Sequence, residues 1–324
     1  MAPTLKPITH LLMLLLLGGS YVSCEEKWCY DKPICGPATW KHLGQCNDKK
    51  QSPINIVTKY TQPDSCLGPL TLSGYEDRWR PRELLNKGDY PEVEMKEGAT
   101  VSSPSLPAKY HLKSFHFHFG TNHHAGSEHA INGQHHSMEL HIVHTKNGIS
   151  AEEAAKDPEG FVVLGFFIQK TFEAPFDGAW AFLASMLQRI PEKGNSVPLN
   201  GEFSLSDLLK PGGKDTVKIT DKYYRYQGSL TTPNCSEAVT WFVFPDVIKV
   251  HPYVVRKFTN SLFFTTKEEN RRMQNNYRPT QPLNNRGISA FNLNEYDPKR
   301  CPGNSFGAKE YVDCKDGWQQ NSSA

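Results

Sequence analysis

The residues with the clearest chemical potential are histidines. The chain has 13, and ten of them fall between His111 and His144. In Phe115-His116-Phe117-His118-Phe119 the types alternate strictly. A strand sends successive side chains to opposite faces, so His116 and His118 share one face and the phenylalanines bury the other. The alternation recurs in Glu139-Leu140-His141-Ile142-Val143-His144, where Glu139, His141 and Val143 share a face. If the two strands are neighbours, His116, His118 and His141 converge on one point. Three neutral imidazoles suit zinc and leave its fourth tetrahedral position open, as catalytic sites require. Zinc brings the pKa of a water it binds to about 7. Glu139 is placed to accept a proton from a ligand imidazole and fix its tautomer. A His-x-His pair alone is often ordinary surface; the second run, with its glutamate, carries the metal reading. There is no His-Glu-x-x-His run, which sets aside zinc hydrolases of that helical type.

Such histidines need a rigid sheet behind them. Residues 25 to 70 are rich in Cys, Pro and Gly and read as an irregular entry segment. From about 71 to 280, short β-like runs alternate with turn signals, including Phe115 to Phe119, Glu139 to His144, Phe161 to Ile168 and Val239 to Phe244. One stretch has a helical period: Asp177 can cap it, and Phe182, Leu183, Met186, Leu187 and Ile190 fall on one face. No internal repeat is present. The expected class is mainly β (α+β), a single domain on one large sheet with peripheral short helices.

Composition bounds the partners. A net charge of +2 over 324 residues gives no electrostatic case for nucleic acid. Lys6, the leucine-rich run Leu11 to Leu17 and Val22-Ser23-Cys24 form a secretory signal pattern over residues 1–24, too short to span a bilayer. The C-terminal stretch Gly317 to Ala324 is polar, unlike a GPI signal. A secreted, extracellular location is therefore expected, and the cysteines read as disulfides. Without Cys24, seven remain: Cys29, Cys35, Cys46, Cys66, Cys235, Cys301 and Cys314. An odd number leaves one free or linked to another chain. Asn234 and Asn321 stand in glycosylation sequons.

The chain resembles the α-class carbonic anhydrases over about residues 27 to 291. The matching strings are Gln51-Ser52-Pro53-Ile54-Asn55-Ile56, Phe115 to Phe119, Gly126-Ser127-Glu128-His129, Glu139 to His144, Gly228-Ser229-Leu230-Thr231-Thr232-Pro233 and Arg278-Pro279-Thr280-Gln281-Pro282-Leu283. The resemblance implies a large twisted, mostly antiparallel sheet with one catalytic zinc at the bottom of a cleft. It implies carbon dioxide and bicarbonate as substrates, reacting through zinc-bound hydroxide. His116, His118 and His141 match the ligands. Thr231 matches the threonine that orients the hydroxide, and Glu128 the carboxylate behind it. Thr232, Val143, Val163, Leu230, Val239 and Trp241 match the substrate wall. Tyr30 matches a residue that orders cleft water. Asn276 matches a position whose backbone carbonyl supports His118.

The sequence departs from the family pattern at three places. Asp89 stands at the proton-shuttle position, where fast members carry histidine. A carboxylate with a reference pKa near 3.9 accepts protons poorly at neutral pH beside imidazole near about 6.5, so slower proton export is expected. The connecting-segment histidines His123, His124, His135 and His136 read as solvated loop. Ser114 stands where a glutamine usually supports His116, and Phe119 replaces a tryptophan. By the same resemblance Cys29 pairs with Cys35 and Cys46 with Cys235, while Cys301 is expected to pair with Cys314 inside a polar extension, residues 292–324. Cys66 is left able to link two chains. The domain itself is expected over 25–291. An extracellular matrix or biomineralisation role, or a catalytically weak binding module, is the alternative; a full set of ligands disfavours the last.

Overall fold

The computed structural model describes residues 28–210 and 221–301. The expected signal segment, Cys314 and Asn321 lie outside the described residues. In chain order the strands are β1 (Asn55–Ile56), β2 (Gln62–Pro63), β3 (Thr71–Ser73), β4 (Pro81–Asn86), β5 (Pro91–Met95), β6 (Thr100–Ser102), β7 (Tyr110–Phe119), β8 (Ala130–Ile131), β9 (Met138–Lys146), β10 (Phe161–Lys170), β11 (Ser196–Pro198), β12 (Lys222–Gly228), β13 (Val239–Val250) and β14 (Ser289–Asn292). Twelve of them form one sheet, with the path β11-β4-β5-β7-β9-β10-β13-β12-β14-β2. Most neighbours run antiparallel; β10 with β13, and β14 with β2, run parallel. The expected class, mainly β around one large twisted sheet with few short helices, is the fold observed.

Alternation along the central strands sorts side chains onto two faces. Phe115, Phe117, Phe119, Leu140, Ile142, Leu164, Phe166, Phe242 and Phe244 point into the larger core. Helices α2 (Gly178–Met186) and α4 (Pro252–Ser261) cover that face, with Phe117 against Trp180 at 5.7 Å and Phe258 at 4.9 Å. Truncating a side chain buried this way costs about 3–5 kcal/mol. The other face holds a smaller apolar cluster that includes Phe161, Val163, Phe167, Val239 and Trp241. The histidine cleft opens on this second face.

Of the expected apolar face, Leu183 and Met186 are buried on helix α2 and Phe182 is half-buried there; Leu187 and Ile190 are buried too, but in the 3-10 turn Leu187–Arg189 and its cap that follow the helix. Asp177 occupies the N-cap position, but its side chain makes no capping bond. The short helices α1 (Ala151–Ala154) and α3 (Leu205–Leu208) are each held by a complete capping box, Ser150 with Glu153 and Ser204 with Asp207.

The cysteines correct one expectation. Cys29 is bonded to Cys35 and Cys46 to Cys235. Cys66 is bonded to Cys301, so Cys301 is not paired with Cys314 and Cys66 is not open to a second chain. The cause is topological. The β14–β2 pairing sets Ser289 beside Gln62, which brings the chain just after β14 back to the loop just after β2. Closure of the sheet at its edge makes this bridge long-range in place of the local one expected in the tail.

Candidate active site

Strand register assembles the histidines. In the β7–β9 pair His116 faces His141 and His118 faces Glu139. The nitrogens of His116, His118 and His141 come within 4.8 Å of one another. His118 donates Nδ1–H to the Asn276 carbonyl at 2.7 Å, leaving its buried Nε2 without a hydrogen-bond partner. His141 donates Nε2–H to Glu139 at 2.7 Å, so its Nδ1 faces the cleft. Both tautomers therefore present a bare lone pair. Burial, reinforced by the neighbouring imidazoles, holds His116 well below its usual pKa, and burial pushes His118 down to about 3. Burial likewise lowers His141, despite Glu139. Three buried imidazoles kept neutral, with one nitrogen of each within 4.8 Å of the others and His118 Nε2 unpartnered, are a donor set that suits a divalent zinc.

Behind the ligands runs a hydrogen-bonded chain. The Glu139 carboxylate accepts from His141 and from His129 Nδ1, each at 2.7 Å. Burial raises its pKa, but its close contacts with His129 and His141 outweigh this and hold the group well below the usual carboxylate range. Tyr226 then donates to His129 Nε2 at 2.7 Å, and Ser52 to Tyr226 at 2.8 Å. Gly165 faces His141 from β10. A Cβ there would stand 3.2 Å from Glu139 Oε1, so glycine leaves the carboxylate its room. His129, Tyr226, Ser52 and Gly165 were not singled out as site residues. The signal available for them was His129 and Ser52 lying inside matched strings.

Glu128 is fully buried and accepts the Arg278 backbone N–H at 2.7 Å. Burial raises its pKa well above the usual range, against the lowering effects of Arg278 and Thr231. The Thr231 side chain lies beside the carboxylate. Glu128 Oε2 lies 3.5 Å from His118 Nε2. The loop carrying Thr231 and Thr232 is pinned by the Cys46–Cys235 bond and by Cys235 N–H donating to the Thr232 carbonyl at 2.7 Å. Arg278 bonds the Gln51 side chain and the carbonyls of Ser52 and Cys46, which ties the N-terminal segment under that loop.

A cavity of about 210 Å³ sits over His116 and His141, with His118 fully buried behind them. Val143, Val163, Leu230, Thr231, Thr232 and Trp241 line it, as do His116, His141 and Ser114. Val239 does not; it is buried in the apolar cluster beneath. Lining residues that sequence reasoning missed are Tyr90, Glu92, Lys113, Thr145, Ala151 and Phe161. Tyr30 is buried near Glu128 and Asp89, and burial first, then those charges, raises its pKa well above the usual value. Asp89 is half-buried. Of the connecting-segment histidines, His123, His124 and His135 are exposed, and none of the four lines the cavity.

The model of the eukaryotic-type carbonic anhydrases matches residues 35–292. The chain belongs to that family. It is 36% identical over 289 residues to carbonic anhydrase 4 of Mus musculus, covering 86% of this chain and 89% of the relative. Carbonic anhydrase 15 of the same species is 35% identical, with 86% and 88% covered. Carbonic anhydrase 6 of Homo sapiens is 32% identical over 300 residues, with 90% and 92% covered. As a carbonic anhydrase the chain is an enzyme that uses zinc, and the buried His-His-His group can hold the ion. Among the described residues no helix is long and apolar enough to cross a membrane.

Proposed function

We propose that this carbonic anhydrase hydrates carbon dioxide reversibly in the cavity over His116 and His141, with those two and His118 as the zinc ligands. When bound, zinc supplies a Lewis acid that makes hydroxide available near neutral pH. The chain's own residues do the rest. Asn276 and Glu139 fix the tautomers of His118 and His141. Thr231 stands beside Glu128, and by donating its hydroxyl proton to that carboxylate it would turn a lone pair toward the reactant and orient it. Val143, Val163, Leu230 and Trp241 form an apolar wall suited to carbon dioxide, with Thr232 at the polar edge for bicarbonate.

Proton export is slower than in members with a histidine at that position, because Asp89 stands there. The catalytic domain spans residues 25–291, behind a signal peptide of residues 1–24 and ahead of a polar extension of residues 292–324. Three intrachain disulfides suit an oxidising, extracellular compartment.

The observation that supports the reading is the pair of fixed tautomers, which turns His118 Nε2 and His141 Nδ1 toward a common ligand position, with His118 Nε2 buried and unpartnered among the described residues. Zinc analysis together with a carbon dioxide hydration assay, with and without a sulfonamide, tests it. The expected result is one zinc per chain and sulfonamide-sensitive turnover. A folded protein that holds no zinc and hydrates no carbon dioxide overturns it.

A further inference from the structure

The three histidines are not held alike. His118 and His141 each have a hydrogen-bond acceptor behind the ring at 2.7 Å. His116 does not: its buried Nδ1 has no protein partner among the described residues. The side chain nearest to that duty, Ser114, is engaged elsewhere. Its hydroxyl donates to Glu92 Oε2 at 3.0 Å, and the other oxygen of Glu92 faces Lys87 at 3.7 Å.

What His116 has instead is a face contact. The Tyr90 ring lies over the imidazole with centroids 4.3 Å apart and planes 26° from parallel. The same ring meets His118 at 6.0 Å, tilted by 58°. Backbone places Tyr90 there. Lys87 N–H donates to the Tyr90 carbonyl at 3.1 Å, closing the turn between β4 and β5. β5 then pairs with β7 so that Glu92 stands opposite His116. The stack is thus built by strand pairing rather than by a mobile side chain finding its partner.

We propose that Tyr90 is the positioning residue for His116, holding the imidazole by its flat face where the other two ligands are held by hydrogen bonds. The inference rests on reading the three histidines as zinc ligands. A ring free to turn about χ2 offers its nitrogen in the required direction for only part of the time, and Tyr90 removes that freedom before the ion arrives. Planarity is what matters, so phenylalanine serves as well as tyrosine, and an aliphatic residue of similar bulk does not.

The test is zinc affinity of the full-length, metal-stripped protein, measured by competition with a chromophoric chelator. The wild type is compared with Tyr90→Phe, Tyr90→Leu and Tyr90→Ala, each checked for native near-ultraviolet dichroism. Loss of support behind a metal ligand weakens binding by about 10–100-fold, and Tyr90→Leu and Tyr90→Ala are expected at the lower end of that range. Tyr90→Phe stays within about twofold of wild type, the scatter expected when no interaction is lost. Adding Ser114→Gln, which offers His116 a hydrogen bond, restores affinity to Tyr90→Leu. Wild-type affinity in Tyr90→Leu, or an equal loss in Tyr90→Phe, overturns the inference while leaving the zinc site itself intact. A folded wild type that takes up no zinc removes the parent reading and this one together.

Discussion

The Asn276 side chain donates to the Asp89 carbonyl at 3.0 Å, while the Asn276 backbone carbonyl takes the His118 proton at 2.7 Å. One residue therefore couples His118 to the segment that carries Asp89. The link uses the backbone of Asp89, so changing its side chain leaves His118 oriented. Asp89→His is expected to raise turnover in dilute buffer by about tenfold or more, since a well-placed general base contributes about 10²–10⁴-fold. The wild type should gain from added imidazole, and the variant much less. Stopped-flow hydration across a buffer series checks this, and a flat buffer response in the wild type would refute it.

Glu139 accepts from two histidines, so neutralising it strikes both. Glu139→Gln should lower zinc affinity by about 10–100-fold, the usual cost of losing a partner behind a metal ligand. Gly165→Ala should produce a milder version of the same defect. Its new Cβ would stand 3.2 Å from Glu139 Oε1 and press the carboxylate away from His141. Chelator competition on both variants measures the effect, and unaltered affinity in Glu139→Gln would contradict the tautomer argument.

Acid sensitivity has a source outside the metal site. His144 is fully buried between the Tyr75 hydroxyl and the Val162 carbonyl, and burial pushes its pKa down to about 3. The unfolded chain binds that proton near pH 6.5. The contribution of neutral His144 to stability is thus fully present above about pH 6.5 and is lost as pH falls toward 3, at about 1.4 kcal/mol per pH unit. Urea unfolding of metal-free protein at pH 6.5 and 4.5 should show a shallower pH slope in His144→Gln than in wild type. Equal slopes would remove His144 from the account.

The Cys66–Cys301 bond spans 235 positions. Removing a native disulfide that closes so long a loop costs about 2–5 kcal/mol. Cys66→Ser should lower the melting temperature and should leave migration on non-reducing gels monomeric with respect to this cysteine. A disulfide-linked dimer lost only in Cys66→Ser would be the contrary result.

Local pattern was enough for some of this and not for the rest. Strict alternation in Phe115 to Phe119 and in Glu139 to His144 put the histidines on one face, because a strand has no other way to arrange them. Adjacency of the two strands is a long-range fact, and only the matched strings supplied it. Cys66 shows the limit. Its partner is fixed by how β14 closes against β2, and spacing along the chain carries no trace of that. Tyr90 and Gly165 escaped for a related reason. Each matters through what it touches across the sheet, on strands or turns far from the motif, and neither residue type suggests metal chemistry. Val239 packs in one cluster with Val163 and Trp241, and apolar residues on one face look alike in sequence whether they line a cavity or lie beneath it.

The Asn276 carbonyl that sets the His118 tautomer is 158 positions downstream of its histidine. His116, His118 and His141 lie on adjacent antiparallel strands within a single short stretch of chain. A polypeptide made from its N-terminus thus exposes all three imidazoles well before the group that orients one of them exists. Orientation of His118 therefore waits on a segment made 158 positions after the histidine itself.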